Sequence, residues 1–139
     1  MKIRQGFVTN SSSTQFIVSM KEDFTFDNFL KAVKIPKNCM LIEIIEDMYN
    51  TINNSKSELF TYFGIENKNL QTIDQELMDE HNIDKETAKK IKQLMLKNRK
   101  VYAGTFDDDV DRPTEAFLCY SSILIDTDEI YFNAENSSF

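Results

Sequence analysis

Along the chain the apolar positions change period twice. Gln15 to Met20, QFIVSM, is short, rich in β-branched and aromatic residues and preceded by Asn and Ser, which predicts a strand. After it Phe26, Phe29, Leu30 and Val33 fall at i, i+3, i+4 and i+7, the stripe of an amphipathic helix, with Asp23 or Thr25 as its cap and Pro36 beyond its end. A second helical stripe runs through Leu41, Ile44, Ile45, Met48, Tyr49 and Ile52 until Asn53 to Ser55 breaks it. ELFTYFG fits either a short helix closed by Gly64 or a strand. Thr72 and Gln75 have the spacing of a capping box, ahead of Ile73, Leu77 and Met78. Asp84 then caps a helix whose buried side is Ala88, Ile91, Leu94 and Met95.

From Val101 the pattern is strand-like again. VYAGTF, EAFLCYSSILI and EIYFNAE are separated by the acidic turns DDDVDRPT and DTD, which predicts an antiparallel meander. The run Ala116 to Tyr120 is apolar at consecutive positions, the signature of a strand covered on both faces. The expected fold is therefore α+β and a single domain. A helical middle of about four helices spans 23–100, a β-meander spans 101–139 that the N-terminal strand joins, and 1–14 forms an extended N-terminal segment.

Composition narrows the function classes. A chain of 139 residues holds one core of ordinary size, and eleven Phe and five Tyr supply large rings to fill it. A net charge of -7 opposes attraction to phosphate backbones, so nucleic acid is not an expected partner. No apolar run is long enough to span a bilayer, and the Ser/Thr tract after Lys2 and Arg4 is not the core of a signal peptide, so a cytosolic location and no membrane partner are expected. Cys39 and Cys119 lie far apart among apolar neighbours and make no Cys-x-x-Cys pair, as expected of small buried hydrophobes. Gly6, Gly64 and Gly104 are scattered singly, which leaves no glycine-rich phosphate loop.

Charge is unevenly placed. Between Asp84 and Lys100 seven basic residues stand against two acidic ones, and from Val101 onward nine acids stand against Arg112. Lys89, Lys90, Lys92, Lys97 and Arg99 are accordingly candidates for contact with a partner, against the plainer reading that they solvate an amphipathic helix. The acidic loop offers Asp107, Asp109 and Asp111 at the alternating spacing of a calcium loop, with Glu115 nearby. Arg112 stands where that template needs glycine and Leu118 where it needs a closing carboxylate, so a calcium or magnesium site competes with a solvated loop, and no cofactor is the plainer expectation. His81 is the only histidine and sits at a polar junction between helices, so a serine nucleophile has no evident base.

The opening Arg4-Gln5-Gly6-Phe7-Val8-Thr9-Asn10-Ser11-Ser12-Ser13 resembles the N-terminal segment, roughly Arg-x-Gly-Phe-Val-Ser-Asn followed by serines, of a group of small proteins from bacteriophages and low-GC bacteria. Thr9 and Thr14-Gln15 depart from that pattern. Tyr102-Ala103-Gly104 and Glu115 to Tyr120 are similar to later parts of some members. The resemblance implies a phage or mobile-element setting and carries no activity with it. Arg4, Gly6, Phe7, Asn10, Ser11, Ser12 and Ser13 are its motif residues, and they fit a structured corner leading into the first strand, a recognised tag, or, least well, a serine nucleophile. The expected function is a small acidic, non-enzymatic protein that binds another protein, such as a host protein. The alternatives are a virion-associated protein addressed by its Ser-rich segment and a metal-dependent hydrolase using the loop 107–115.

Overall fold

Among the described residues of the computed structural model every strand pairing is antiparallel, and the strand in the middle of the sheet is the first of them in chain order. The structure describes residues 13–107 and 113–135. In chain order the elements are β1 (Ser13–Met20), α1 (Phe26–Val33), α2 (Ile42–Ser55), β2 (Ser57–Glu58), α3 (Leu59–Phe63), α4 (Ile73–His81), α5 (Lys85–Leu96), β3 (Tyr102–Asp107), α6 (Pro113–Tyr120), β4 (Ile123–Asp126) and β5 (Ile130–Ala134). The strands lie in the order β2-β3-β1-β5-β4. The N-terminal strand thus joins the C-terminal ones as expected, and it does so by inserting between them: β1 pairs with β3 from Ser13↔Asp107 to Val18↔Tyr102 and with β5 from Ile17↔Asn133 to Met20↔Ile130.

That position explains the burial of β1. Phe16, Val18 and Met20 enter one core, with Phe106, Phe132 and residues of α1, α2 and α6. Ile17 enters the other, with Ala103, Tyr131 and residues of α3, α4 and α5. Successive side chains of a strand point to opposite faces, so a sheet covered on both sides buries consecutive residues.

Local signals set most helix ends. Thr25 caps α1 by accepting the amide of Asn28 at 3.2 Å. The helix stops at Lys34, which has φ 63 and whose N–H turns back to Leu30 and Lys31, so the termination precedes Pro36 and is made by a left-handed residue. Within ELFTYFG, Glu58 ends β2 and Leu59–Phe63 form α3, closed by Gly64 at φ 66. Asp84 caps α5 through the Thr87 amide at 3.1 Å. The capping box does not form: Thr72 occupies the N-cap position with no side-chain cap, its hydroxyl donating to the Asn69 carbonyl, while Gln75 donates to Asp79 at 2.9 Å.

The C-terminal third departs from the expected layout at one segment. The run expected as the middle strand begins as α6, and only its last three residues enter the sheet, in β4, which forms a hairpin with β5. Pro113 opens the helix, at the position where its fixed φ suits a helix and its missing N–H costs nothing. Glu115, Leu118 and Cys119 are buried and Phe117 is exposed, the i, i+3, i+4 pattern of one helical face. A short apolar run does not distinguish the two periods, and the two-sided burial expected of Ala116 to Tyr120 belongs to β1.

Tyr131 gives this packing a measurable pH dependence. Burial raises its phenol above the ordinary 10.0, opposed by hydrogen bonds with Asn133 and Thr87. Burial likewise raises Tyr49, whose hydroxyl donates to the Phe24 carbonyl at 3.0 Å. A group whose pKa is higher folded than unfolded contributes stability that is intact below the unfolded value and lost as pH rises through the folded one. Unfolding free energy is therefore expected to fall as pH climbs above about 10. Denaturant titrations across that range should show a shallower fall for Tyr131→Phe, and an equal fall would remove Tyr131 as a source.

Candidate functional site: two exposed surfaces

The basic residues of α5 do not form one face. Lys90 pairs with Asp126 at 2.9 Å and lies over the Tyr131 ring at 5.6 Å. Lys92 pairs with Asp74 at 3.5 Å and donates to the Gln71 carbonyl at 2.9 Å, fastening α5 to the start of α4. Lys89 is exposed. Lys90 and Lys92, both candidate partner-contacting residues, thus tie neighbouring elements together.

Lys97 and Arg99 lie elsewhere, in the turn from α5 to β3, where they line a cleft of about 540 Å³ with Asn98, Lys100 and Tyr102. The opposite wall is the connection from β1 to α1, Met20 to Phe24, together with Lys56 at the end of α2. Five cations, Lys21, Lys56, Lys97, Arg99 and Lys100, line this cleft against two acids, Glu22 and Asp23. Arg99 is the fixed member: Nε reaches Ser19 Oγ at 3.4 Å, Nη2 donates to the Ser19 carbonyl at 3.1 Å and Nη1 to the Asp128 carbonyl at 3.3 Å. Burial lowers its pKa, opposed by Glu129 and Asp128. Lys56 stands 4.3 Å from the Tyr102 ring centroid and 5.3 Å from that of Phe24, a cation held on π faces. Sequence reasoning did not single out Lys100, and it missed Lys21 and Lys56 altogether. Each is a lone lysine just past the end of an element, and only β1 beside β3 and α2 above them bring the two to Lys97.

The second surface lies at the start of α2. Of the stripe expected to be buried, Tyr49 and Ile52 are buried and Ile45 and Met48 half-buried, whereas Leu41 and Ile44 are 57% and 55% exposed. Met40, in the turn before the helix, is 97% exposed. The first turn of α2 carries its apolar face beyond the core and into solvent. Beside it, Thr114 of α6 donates to the Asp47 carboxylate. Ile44 stands one turn before Asp47 in the sequence of α2, and Phe117, 59% exposed, one turn after Thr114 in α6. Glu43, Glu46 and Asp47 are exposed on the same stretch of α2.

The acidic loop is only partly described. Asp109 and Asp111 lie outside the described residues. Asp107 is exposed at the end of β3, and Glu115 is buried, its carboxylate accepting the Asp107 amide at 2.7 Å. That bond secures the start of the loop to α6. Among the described residues no group of three or more His, Cys, Asp or Glu is placed to hold a metal ion. His81 lies against Phe63, ring centroids 4.9 Å apart. Of the N-terminal motif, Arg4, Gly6, Phe7, Asn10, Ser11 and Ser12 lie outside the described residues. Ser13 opens β1 opposite Asp107, and the adjacent Thr14 is buried, its hydroxyl donating to the Cys119 carbonyl at 2.7 Å. No helix among the described residues is long and apolar enough to cross a membrane. Neither protein-family models, nor curated proteins, nor solved structures provide a match to this chain.

Proposed function

We propose that the chain is a non-enzymatic protein-binding protein that docks through the exposed start of α2, and that its partner presents apolar side chains ringed by basic ones. The observation that carries this reading is the exposure of Met40, Leu41 and Ile44 on one continuous turn, where the same helical stripe is half-buried at Met48 and buried at Ile52. Exposed apolar residues scattered singly are ordinary, whereas a cluster rimmed by charge marks an interaction surface. Methionine adapts its shape to an apolar partner and Phe117 adds a large ring, both typical of interface anchors. Glu43, Glu46 and Asp47 set the sign of the partner's rim, and a chain of net charge -7 favours a basic surface at longer range. A host protein as the target fits the phage-like opening segment.

A photo-crosslinking residue at position 40 would identify the partner, and binding of that purified partner would then be measured. Met40→Asp and Ile44→Asp are each expected to weaken it by about tenfold or more, the loss typical of a central apolar anchor. Thermal unfolding of both variants should match the parent, since these positions are exposed. Leu124→Asp, at an exposed apolar residue on the edge strand β4, should bind normally. Equal weakening by Leu124→Asp, or none by the α2 variants, would overturn the reading, as would sedimentation showing that the α2 variants abolish a homodimer.

A further inference from the structure

We propose that the basic cleft between the β1–α1 and α5–β3 connections binds the phosphate group of a small ligand. The site is separate from the α2 surface. Its charge is the first argument: the lining carries five cations against two acids, and the balance stays positive even with Asp128 and Glu129, which act on Arg99 from beside the cleft, in a protein whose net charge is -7. Among the described residues Lys21, Lys56, Lys97 and Lys100 form no ion pair, although carboxylates are abundant in the chain. A solvated helix face does not produce this arrangement, because the lysines come from the ends of three elements distant in sequence and converge on one concavity.

Preorganisation is the second argument. Arg99 is anchored through three donor contacts to neutral oxygens, and burial acts against its charge more than Glu129 and Asp128 favour it, so an anion reaching it would compensate a cation that is already partly desolvated. Lys56 is positioned by the Tyr102 and Phe24 rings, so less side-chain entropy remains to be lost on ligand contact. Asn98, at φ 66, turns the chain sharply between Lys97 and Arg99. The local backbone donors of this turn are already used, Asn98 N–H to the Met95 carbonyl and Arg99 N–H to the Leu94 carbonyl, so recognition falls to the side chains.

The same features select the ligand class. A phosphate monoester or diphosphate carries about two or more negative charges and several acceptor oxygens, matching several converging donors better than one carboxylate would. The volume, about 540 Å³, is that of a small-molecule site. Long polyanions are disfavoured, since any length leaving the cleft enters the field of an acidic protein.

The test is calorimetric titration of the full chain with ADP, inorganic phosphate and adenosine as probes. ADP is expected to bind, adenosine not to bind, and raising salt from about 50 to about 200 mM to weaken ADP through screening. ADP tighter than inorganic phosphate assigns a phosphate ester, and equal affinities assign free phosphate. The double variant Lys97→Glu/Lys100→Glu, at two exposed positions, should lose about tenfold or more in affinity with its melting temperature unchanged. Lys89→Glu, an exposed base of α5 outside the cleft, should bind as the parent does. Absence of both ADP and phosphate binding at millimolar concentration would overturn the proposal. So would an equal loss in Lys89→Glu, or a poly-glutamate peptide binding more tightly than ADP.

Discussion

Phe16→Ala is expected to remove about 3–5 kcal/mol of stability, a large part of the roughly 5–15 kcal/mol that holds a domain of this size together. Phe16 is fully buried on the central strand, stacked on Phe106 at 4.4 Å and 6.1 Å from Phe132. Truncation would strip two rings of their principal neighbour and leave a cavity between the sheet and the helices over it. Because β1 pairs on both sides, the surrounding backbone has little freedom to collapse into that space. Urea unfolding should show the midpoint falling with an unchanged slope. Phe117→Ala is the matched comparison, since an exposed Phe should cost no more than about 0.5 kcal/mol. A cost below about 1 kcal/mol at position 16 would mean that this ring does not anchor the core.

The second large effect is expected at Gly104. It faces Phe16 across the β1–β3 ladder, and a methyl group there would meet the Phe16 ring and lie 2.6 Å from the carbonyl oxygen of Ser55, at the end of α2. Glycine is needed at this point because ring, strand and helix end approach one another too closely for any side chain. Gly104→Ala is expected to cost about 1–3 kcal/mol through overpacking. Adding Phe16→Leu should restore part of the loss, so the double variant would be more stable than the two single effects summed predict. The Ser55 contact would persist, which makes full rescue unexpected. Strict additivity would show that the ring and the glycine are not in contact.

Elements with a strong local signature were legible in the sequence. The stripes Phe26 to Val33 and Ala88 to Met95, the caps at Thr25 and Asp84 and the strands QFIVSM, VYAGTF and EIYFNAE all stand where pattern reading places them. The α+β class follows from these. The segment Glu115 to Tyr120 was not legible, because five apolar residues in succession satisfy a buried strand and a helix alike. The stripe of α2 shows a different limit. Periodicity establishes that Leu41, Ile44, Met48 and Ile52 share a face, but not how far along that face the core extends.

The candidate surfaces were partly legible. Lys97 and Arg99 stood out by charge, but so did Lys90 and Lys92, which the fold engages with Asp126, Asp74 and the Gln71 carbonyl. Lys21 and Lys56 carried no signal of their own.

The sequence by itself determined where most of the helices and strands lie, which residues share an apolar face and that the protein is acidic, because these are properties of neighbouring residues. The tertiary structure alone decided that β1 lies at the centre of the sheet, that the first turn of α2 is left in solvent, and that five cations from three distant segments face one cleft. Pairing between strands, the reach of a core and the convergence of like charges are relations between residues far apart in the chain, and no local period encodes them.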